Sequence, residues 1–569
     1  MTTAASDPKA LLTALEHLHD TVREVSLPLE VSGVDEARRL RREVAGQLDD
    51  YVLPRLRRID APLLTVVGGS TGAGKSTLVN SIVGAQVSAS GVLRPTTRAA
   101  TLVCHPQDLR WYEDDRVLPS LARVTGASGD PGSLRLVPHE QVPAGLALLD
   151  APDIDSVVTE NRELAAQLLA AADLWLFVTS AARYADAVPW DMLHTARARS
   201  TSVAIILDRV PPGAEAEIAP HLAQMLQEQG LGDAPLFVVP ESALVDGLLP
   251  DEAVRRLSDW LHGLASDAAA RAAVVRQTLD GALQSLRPRV DALAGSADDQ
   301  LAAVGTLRAA AATAYDAAAD EVDAGTSSGA LLRGEVLARW QEFVGTGELL
   351  RSLEARVGRL RDRIGEVLRG QPSGPAPEKE LAEALETGVE ALVLSAADGA
   401  AERTGDTWVA DPAGAVLLAA ADSDLTRSSP GLPAHAARVV RDWQGFVLEL
   451  VRGEGAARRS TARALSYGVN ALGLALMIVV FAHTGGLTGG EVAVAGGTSA
   501  LSQKLLEAVF GDQAVRRLAA RARAELHRRV VVLLEEEESR FAAALEAAGV
   551  QPEAGAQLRA AVAAVERER

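Results

Sequence analysis

Leu63-Leu64-Thr65-Val66-Val67-Gly68-Gly69-Ser70-Thr71-Gly72-Ala73-Gly74-Lys75-Ser76-Thr77 is the stretch on which the fold turns. Its first five residues make a short apolar run typical of a strand buried on both faces. Gly69 to Ser76 then fits G-x-x-x-x-G-K-[ST] in full, and residues 75 to 84 read as a helix, so the motif stands between strand and helix as its chemistry requires. Glycines let consecutive backbone N–H groups turn toward phosphate oxygens, and the helix N-terminus adds positive potential. Gly69, Ser70, Thr71, Gly72, Ala73, Gly74, Lys75, Ser76 and Thr77 are therefore read as a nucleotide-binding loop. Lys75 reaches the β- and γ-phosphates, and the Ser76 hydroxyl ligates Mg2+. Of 56 basic residues only Lys9, Lys75, Lys379 and Lys504 are lysines. A lysine retained against that preference for arginine suggests a place where a compact ammonium does what a guanidinium cannot.

Outward from the loop, a nucleotide switch needs a Thr in the segment after the first helix, placed to complete the Mg2+ shell and sense the γ-phosphate. Arg94-Pro95-Thr96-Thr97-Arg98 supplies it, with Thr97 the choice over Thr96 and Arg98 placed to neutralise phosphate charge. The plainer alternative is an ordinary turn before the next strand. Lys75, Thr97 and Arg98 form the candidate catalytic set. Ala147 to Asp150 reads as a strand ending in Asp150-Ala151-Pro152-Asp153, and a carboxylate at such a tip belongs beside Mg2+ through water. Ser76, Thr97 and Asp150 are the candidate metal ligands. Further strands are expected at Thr101 to Cys104, Leu174 to Thr179, Val203 to Asp208 and Leu236 to Val239, with helices at 160–171, 186–198 and 214–229. Such alternation argues an α/β domain over 61–265, a mostly parallel sheet with helices on both faces.

Before this domain, residues 1–60 read as helical. Leu11, Leu15, Leu18, Val22 and Val25 have the spacing of a helix seeking a partner, in a coiled-coil-like bundle or against a globular core, and a second helix is expected from Val34 to Arg58. After residue 266 the strand signal vanishes and Ala-rich helical sequence runs on, read as a stalk over 266–460 and a returning C-terminal helix over 511–569. Breaks are expected at 325–329, 370–377 and 428–433. Val515, Leu518, Ala522, Leu526, Val530 and Leu533 form an apolar stripe suited to pairing with residues 11–25. Between them, 461–510 reads as a membrane hairpin. Leu465 to Ala482 is apolar over about 18 residues, the lower edge of a bilayer span. Gly485, Gly486, Gly489 and Gly490 turn the chain, Val492 to Gln503 is again uncharged, and arginines flank both ends. A buried helical pair within a bundle, or a single span with an interfacial second helix, is the alternative. Arg356, Arg359 and Arg363 share one helix face, as a salt-bridged stripe or an anionic-lipid site.

The 569 residues exceed one core. A net charge of −20 makes nucleic acid an unsuitable partner. One cysteine, Cys104, excludes an intramolecular disulfide, and the polar N-terminus reads as cytoplasmic and unprocessed. No Cys/His cluster has metal-ligand spacing.

The phosphate loop, Thr97-Arg98 and Asp150 resemble the large GTPases of the dynamin superfamily, especially actinobacterial dynamin-like proteins. That resemblance covers the whole chain architecturally, and 66–104 and 146–154 closely. It implies GTP hydrolysis with Mg2+, self-association through GTPase domains and stalk, and binding or fusion of membrane lipids at the cytoplasmic side of the cell membrane. It further implies a paralogous dynamin-like protein or septal proteins as partners in cell division. Three positions depart from the pattern. Asp153 stands where the family's Asp-x-x-Gly has its Gly, and Thr71-Gly72 where it has Gln-Ser. Asp208-Arg209-Val210-Pro211 stands where it has [NT]-K-x-D, so Pro211 replaces the base-reading Asp. Asp208 and Arg209 remain candidate base-side residues, with Ser242 and Ala243 matching the last guanine-side motif. Two other readings are a nucleotide-binding membrane scaffold with little hydrolysis and an ABC-type ATPase. The second lacks a Leu-Ser-Gly-Gly-Gln signature.

Overall fold

The computed structural model describes residues 8–89, 100–114, 117–118, 121–126, 132–153, 159–198, 201–328, 331, 377–457, 469–482, 502–503, 505–507 and 509–569. The chain forms two compact units. One comprises Met1–Leu27, Gly33–Asp298 and Gln551–Arg569, and the other Pro28–Ser32 and Asp299–Val550.

The first unit opens with α1 (Pro8–Glu24), α2 (Val34–Gln47) and α3 (Leu53–Arg57). A π-helical turn at Leu48–Val52 interrupts the single helix expected from Val34 to Arg58. Then follow β1 (Leu63–Gly69), α4 (Lys75–Val83), β2 (Ala100–Cys104), β3 (Ala122–Val124), β4 (Ser133–Pro138), β5 (Leu146–Asp150), α5 (Thr159–Ala170), β6 (Leu174–Ser180), α6 (Ala187–Ala198), β7 (Ser202–Val210), α7 (Glu215–Glu228), β8 (Leu236–Pro240) and α8 (Asp251–Ser266). All six expected strands are present. The two additional ones, β3 and β4, lie at one edge of the eight-stranded sheet, whose order is β3-β4-β2-β5-β1-β6-β7-β8. β4 alternates buried Leu134 and Leu136 with half-buried Arg135, a weaker signal than a continuous apolar run.

Neighbouring strands are parallel except β2 with β5. The strands β5, β1, β6, β7 and β8 thus all end at one edge, where ligands of open α/β sheets bind. Period-two alternation divides the core between the faces. Leu64, Val66, Trp175 and Phe177 pack toward α5 and α6, whereas Leu63, Val67, Leu176 and Val178 pack toward α4 and α8. At the opposite end of β1, Arg55 Nε pairs with Asp173 Oδ1 at 3.1 Å while Asp173 Oδ2 accepts from Leu64 N at 2.8 Å, fixing α3 to the sheet.

The helix α9 (Ala268–Ser327) begins in this unit and continues in the second. The second unit is helical, with α10 (Pro377–Ala410), α11 (Pro412–Ala420), α12 (Leu432–Ala457), α13 (Val469–Ala482) and α14 (Asp512–Ala547). Its core is pinned by tryptophans whose polar ends are satisfied. Trp408 donates to Leu307 O at 3.1 Å and Trp443 to Ala522 O at 2.8 Å. Gln300 clasps the Leu29 backbone in both directions at 2.8 Å. The stripe Val515 to Leu533 is buried in this unit, with α14 on α12 and α13. The partner of α1 is the last helix, α15 (Ala554–Glu568), in the first unit. The stripe's spacing calls for a partner without naming it.

α13 carries the apolar centre of the expected hairpin. Leu472, Leu476, Ile478 and Phe481 are buried in the helical core, Phe481 against Trp443 with ring centroids 5.4 Å apart. Among the described residues no helix is long and apolar enough to cross a membrane. Residues 461–468 and 483–501 of the expected hairpin, Arg356, Arg359 and Arg363, and residues 370–376 of the expected linker lie outside the described residues.

Candidate functional site

Gly74 is the N-cap of α4, at φ +96°. A side chain there would be strained and would drive its Cβ into the Asp208 carboxylate. Gly69 lies so close to the Val178 carbonyl that a Cβ would collide with backbone. These two approaches let the loop curl over the ends of β1, β6 and β7. The first helical turn follows from it, with Leu78 N donating to Gly74 O at 2.8 Å.

Lys75 is 5% exposed, yet its ammonium is fully engaged. Nζ donates to Gly69 O at 2.9 Å, Ser70 O at 3.0 Å and Asp153 Oδ1 at 2.5 Å. Beside it, Ser76 Oγ donates to Asp150 Oδ2 at 2.6 Å. β5 holds Asp150 in register with Val67 of β1, and Ala151 N bonds Val67 O at 3.1 Å. Asp150 is fully buried, and burial is the largest cause pushing its carboxyl above the usual range. Hydrogen bonds from Ser76 and Ser88 and the Lys75 charge oppose that shift, and Asp153 adds to it. Its second oxygen, Oδ1, has no hydrogen-bond partner among the described residues. A buried hard oxygen left unpartnered beside a serine hydroxyl fits Mg2+, which takes few protein ligands and completes its shell with water and phosphate. Thr97, the other expected ligand, and Arg98 lie outside the described residues.

Three contributors to this site escaped the sequence reading. Ser88 Oγ donates to Asp150 Oδ2 at 2.5 Å. Asn80, buried in α4, accepts from Val87 N and Ser88 N at 2.9 and 2.8 Å and donates to Ser88 O at 2.9 Å, which positions that serine. Arg183, after β6, donates to Thr71 O at 3.1 Å and to Asp186 at 2.8 Å.

On the base side, Asp208 ends the buried run of β7 at 3% exposure, with Oδ1 unpartnered among the described residues. Burial pushes its carboxyl up to about 6, against the lowering effects of the Arg209 backbone and charge, with Glu241 adding to the rise. Arg209 is half exposed, 4.0 Å from Asp208, at φ +53°, a left-handed conformation that β-unbranched residues tolerate at some strain. β8 pairs with β7 through Val210 and Pro240, so the loop carrying Ser242 and Ala243 starts at the same sheet edge. Ser242 Oγ donates to Pro240 O at 3.1 Å, and Ser81 and Gln86 near the end of α4 anchor the far side of that loop at Leu249 N and Asp246 O. Lys75, Ser76, Asp150 and Asp153 therefore meet in one cluster, and Gly74, Asp208 and Arg209 in an adjoining one.

Residues 65–208, within the sheet unit, match the family model described as the Dynamin family. The chain is 29% identical over 132 residues to the probable transmembrane GTPase FZO-like, chloroplastic, of Arabidopsis thaliana. That match takes in 23% of this chain and spans 13% of the relative's length. Among solved structures, Era in complex with MgGDPNP and a segment of 16S ribosomal RNA is similar over 35% of this chain and 57% of its own, at 18% identity and TM-score 0.24. A bacterial dynamin from an oligomerised pair, described as a mechanism for the long range sensing and tethering of membranes, is similar over 100% of this chain and 96% of its own, at 9% identity and TM-score 0.42.

Proposed function

We propose that the protein binds and hydrolyses GTP with Mg2+ and couples nucleotide state to the binding and remodelling of a membrane. Self-association, a paralogous dynamin-like partner and action at the division or sporulation septum belong to the same reading. The observation that carries it is the buried Lys75 ammonium at the mouth of a glycine loop, with the Ser76 hydroxyl on Asp150 at 2.6 Å. Loop amides and the start of α4 bind the phosphates, and Lys75 neutralises β- and γ-oxygens. Ser76, Asp150 and Thr97 hold the cation, which when bound offsets phosphate charge and orients the phosphate oxygens. Arg98 adds charge to the same phosphates. Asp208, Arg209, Ser242 and Ala243 surround the base.

Membrane association is supported by the stretch 464–503, uncharged but for Glu491, between arginine-rich flanks and by the name of the Arabidopsis relative. A second reading, a nucleotide-binding scaffold with little hydrolysis, is favoured by the Asp153 carboxylate on Lys75. The test is equilibrium binding of fluorescent GTP to the purified full chain with Mg2+, competed separately by GDP and ATP, followed by phosphate release with and without anionic vesicles. Preference for GTP by orders of magnitude with turnover supports the GTPase reading. Equal competition by ATP removes the guanine assignment, and binding without turnover selects the scaffold.

A further inference from the structure

We infer that Asp153 is a specificity-determining residue of the phosphate site, setting the preference between nucleoside di- and triphosphate by occupying Lys75 against the terminal phosphate. The inference rests on the nucleotide-binding reading above. An ammonium has three donors, and all three of those on Lys75 are taken, by Gly69 O, Ser70 O and Asp153 Oδ1. Two of these acceptors are neutral carbonyls of the loop. The third is a carboxylate, the shortest contact of the three, carrying the charge type that a phosphate oxygen would bring.

Asp153 lies three residues past Asp150, and its charge reaches that buried carboxylate, adding to the rise in its pKa. The two acids thus share one small volume with Lys75. Only the Asp153 side chain is partly open to solvent, at 22% exposure against 5% for Lys75, so it is the member able to swing away. A diphosphate engages Lys75 through β-oxygens alone. A triphosphate asks for a second donor, for its γ-oxygens, and brings further negative charge beside Asp153, so the penalty falls more heavily on the triphosphate than on the diphosphate. Removing the charge while keeping the shape should relieve that penalty.

The experiment is equilibrium binding of fluorescent GTP and GDP, with Mg2+, to the full chain as wild type, Asp153→Asn, Asp153→Ser and Asp153→Glu. Far-UV circular dichroism establishes that each is folded. Loss of the carboxylate in Asn or Ser is expected to tighten GTP by about tenfold or more and GDP by less than about threefold, and Glu to stay near wild type. A GTP-to-GDP affinity ratio unchanged in both Asn and Ser, or shifted equally by Glu, overturns the role of Asp153 and leaves the nucleotide reading standing. Absence of binding of either nucleotide to the wild type and to every variant overturns both.

Discussion

The guanidinium of Arg183 donates to the main-chain oxygen of Thr71 at 3.1 Å, tying the segment after β6 to the phosphate loop after β1. Asp186 holds the same guanidinium at 2.8 Å. Because Arg183 is 39% exposed, water screens much of this contact, and its removal is expected to act on loop order more than on stability. Arg183→Ala should weaken GTP binding by about three- to tenfold, with little change in melting temperature. Asp186→Ala, which frees the guanidinium without deleting it, should fall between. An Arg183→Ala protein with wild-type nucleotide affinity would remove the clamp from the account.

Lys75→Ala removes the buried cation that meets Gly69, Ser70 and Asp153. A nucleotide triphosphate would then face Asp150 and Asp153 with no ammonium between them. Binding should weaken by about a hundredfold or more. Helical content by circular dichroism should stay unchanged, because most helices lie away from the site. Retained affinity would show that the phosphates are held elsewhere.

Some of this was legible in sequence, for identifiable reasons. β1 and β6 are buried along their whole length and read as continuous apolar runs, and the glycine loop's context made its chemistry explicit. β3 and β4 were not legible, since β3 has only three residues, at the sheet edge, and both strands carry an arginine, Arg123 or Arg135, within them. The stripe from Val515 to Leu533 announced a buried face, but spacing cannot tell α12 and α13 from α1 as its partner. Apolar density over α13 has the same ambiguity, because a helix inside a bundle and one in lipid satisfy the same pattern. Arg183 and Ser88 reach the site through contacts 112 and 62 residues apart in sequence, which no local pattern records.

The placement of α13 can be tested without lipid. Phe481 is fully buried, with its ring against Trp443. If the helix is a core element of the helical unit, Phe481→Ala leaves a cavity and should destabilise that unit by about 3–5 kcal/mol. A lowered melting temperature in detergent-free buffer, with a shift in tryptophan emission, is the expected result. An unchanged melt would mean that Phe481 is not part of a core in water.

Asp208 offers a prediction whose sign follows from its surroundings. Burial holds its carboxyl at about 6 in the folded chain, whereas the unfolded chain releases the proton near 3.8. Between those values the folded state binds more protons, so stability falls as pH rises through that interval and is not regained above it. The groups that bear on this carboxylate are Arg209, which lowers its pKa, and Glu241, which raises it, and neither cancels desolvation. Asp208→Asn keeps the shape beside Gly74 and never ionises. At pH 7.5 it should be more stable than the wild type by about 1–3 kcal/mol, and the difference should shrink toward pH 5. Thermal melts of both proteins at the two pH values decide it, since a gap of equal size at pH 5 and 7.5 would mean that Asp208 does not carry an uncompensated buried charge at neutral pH.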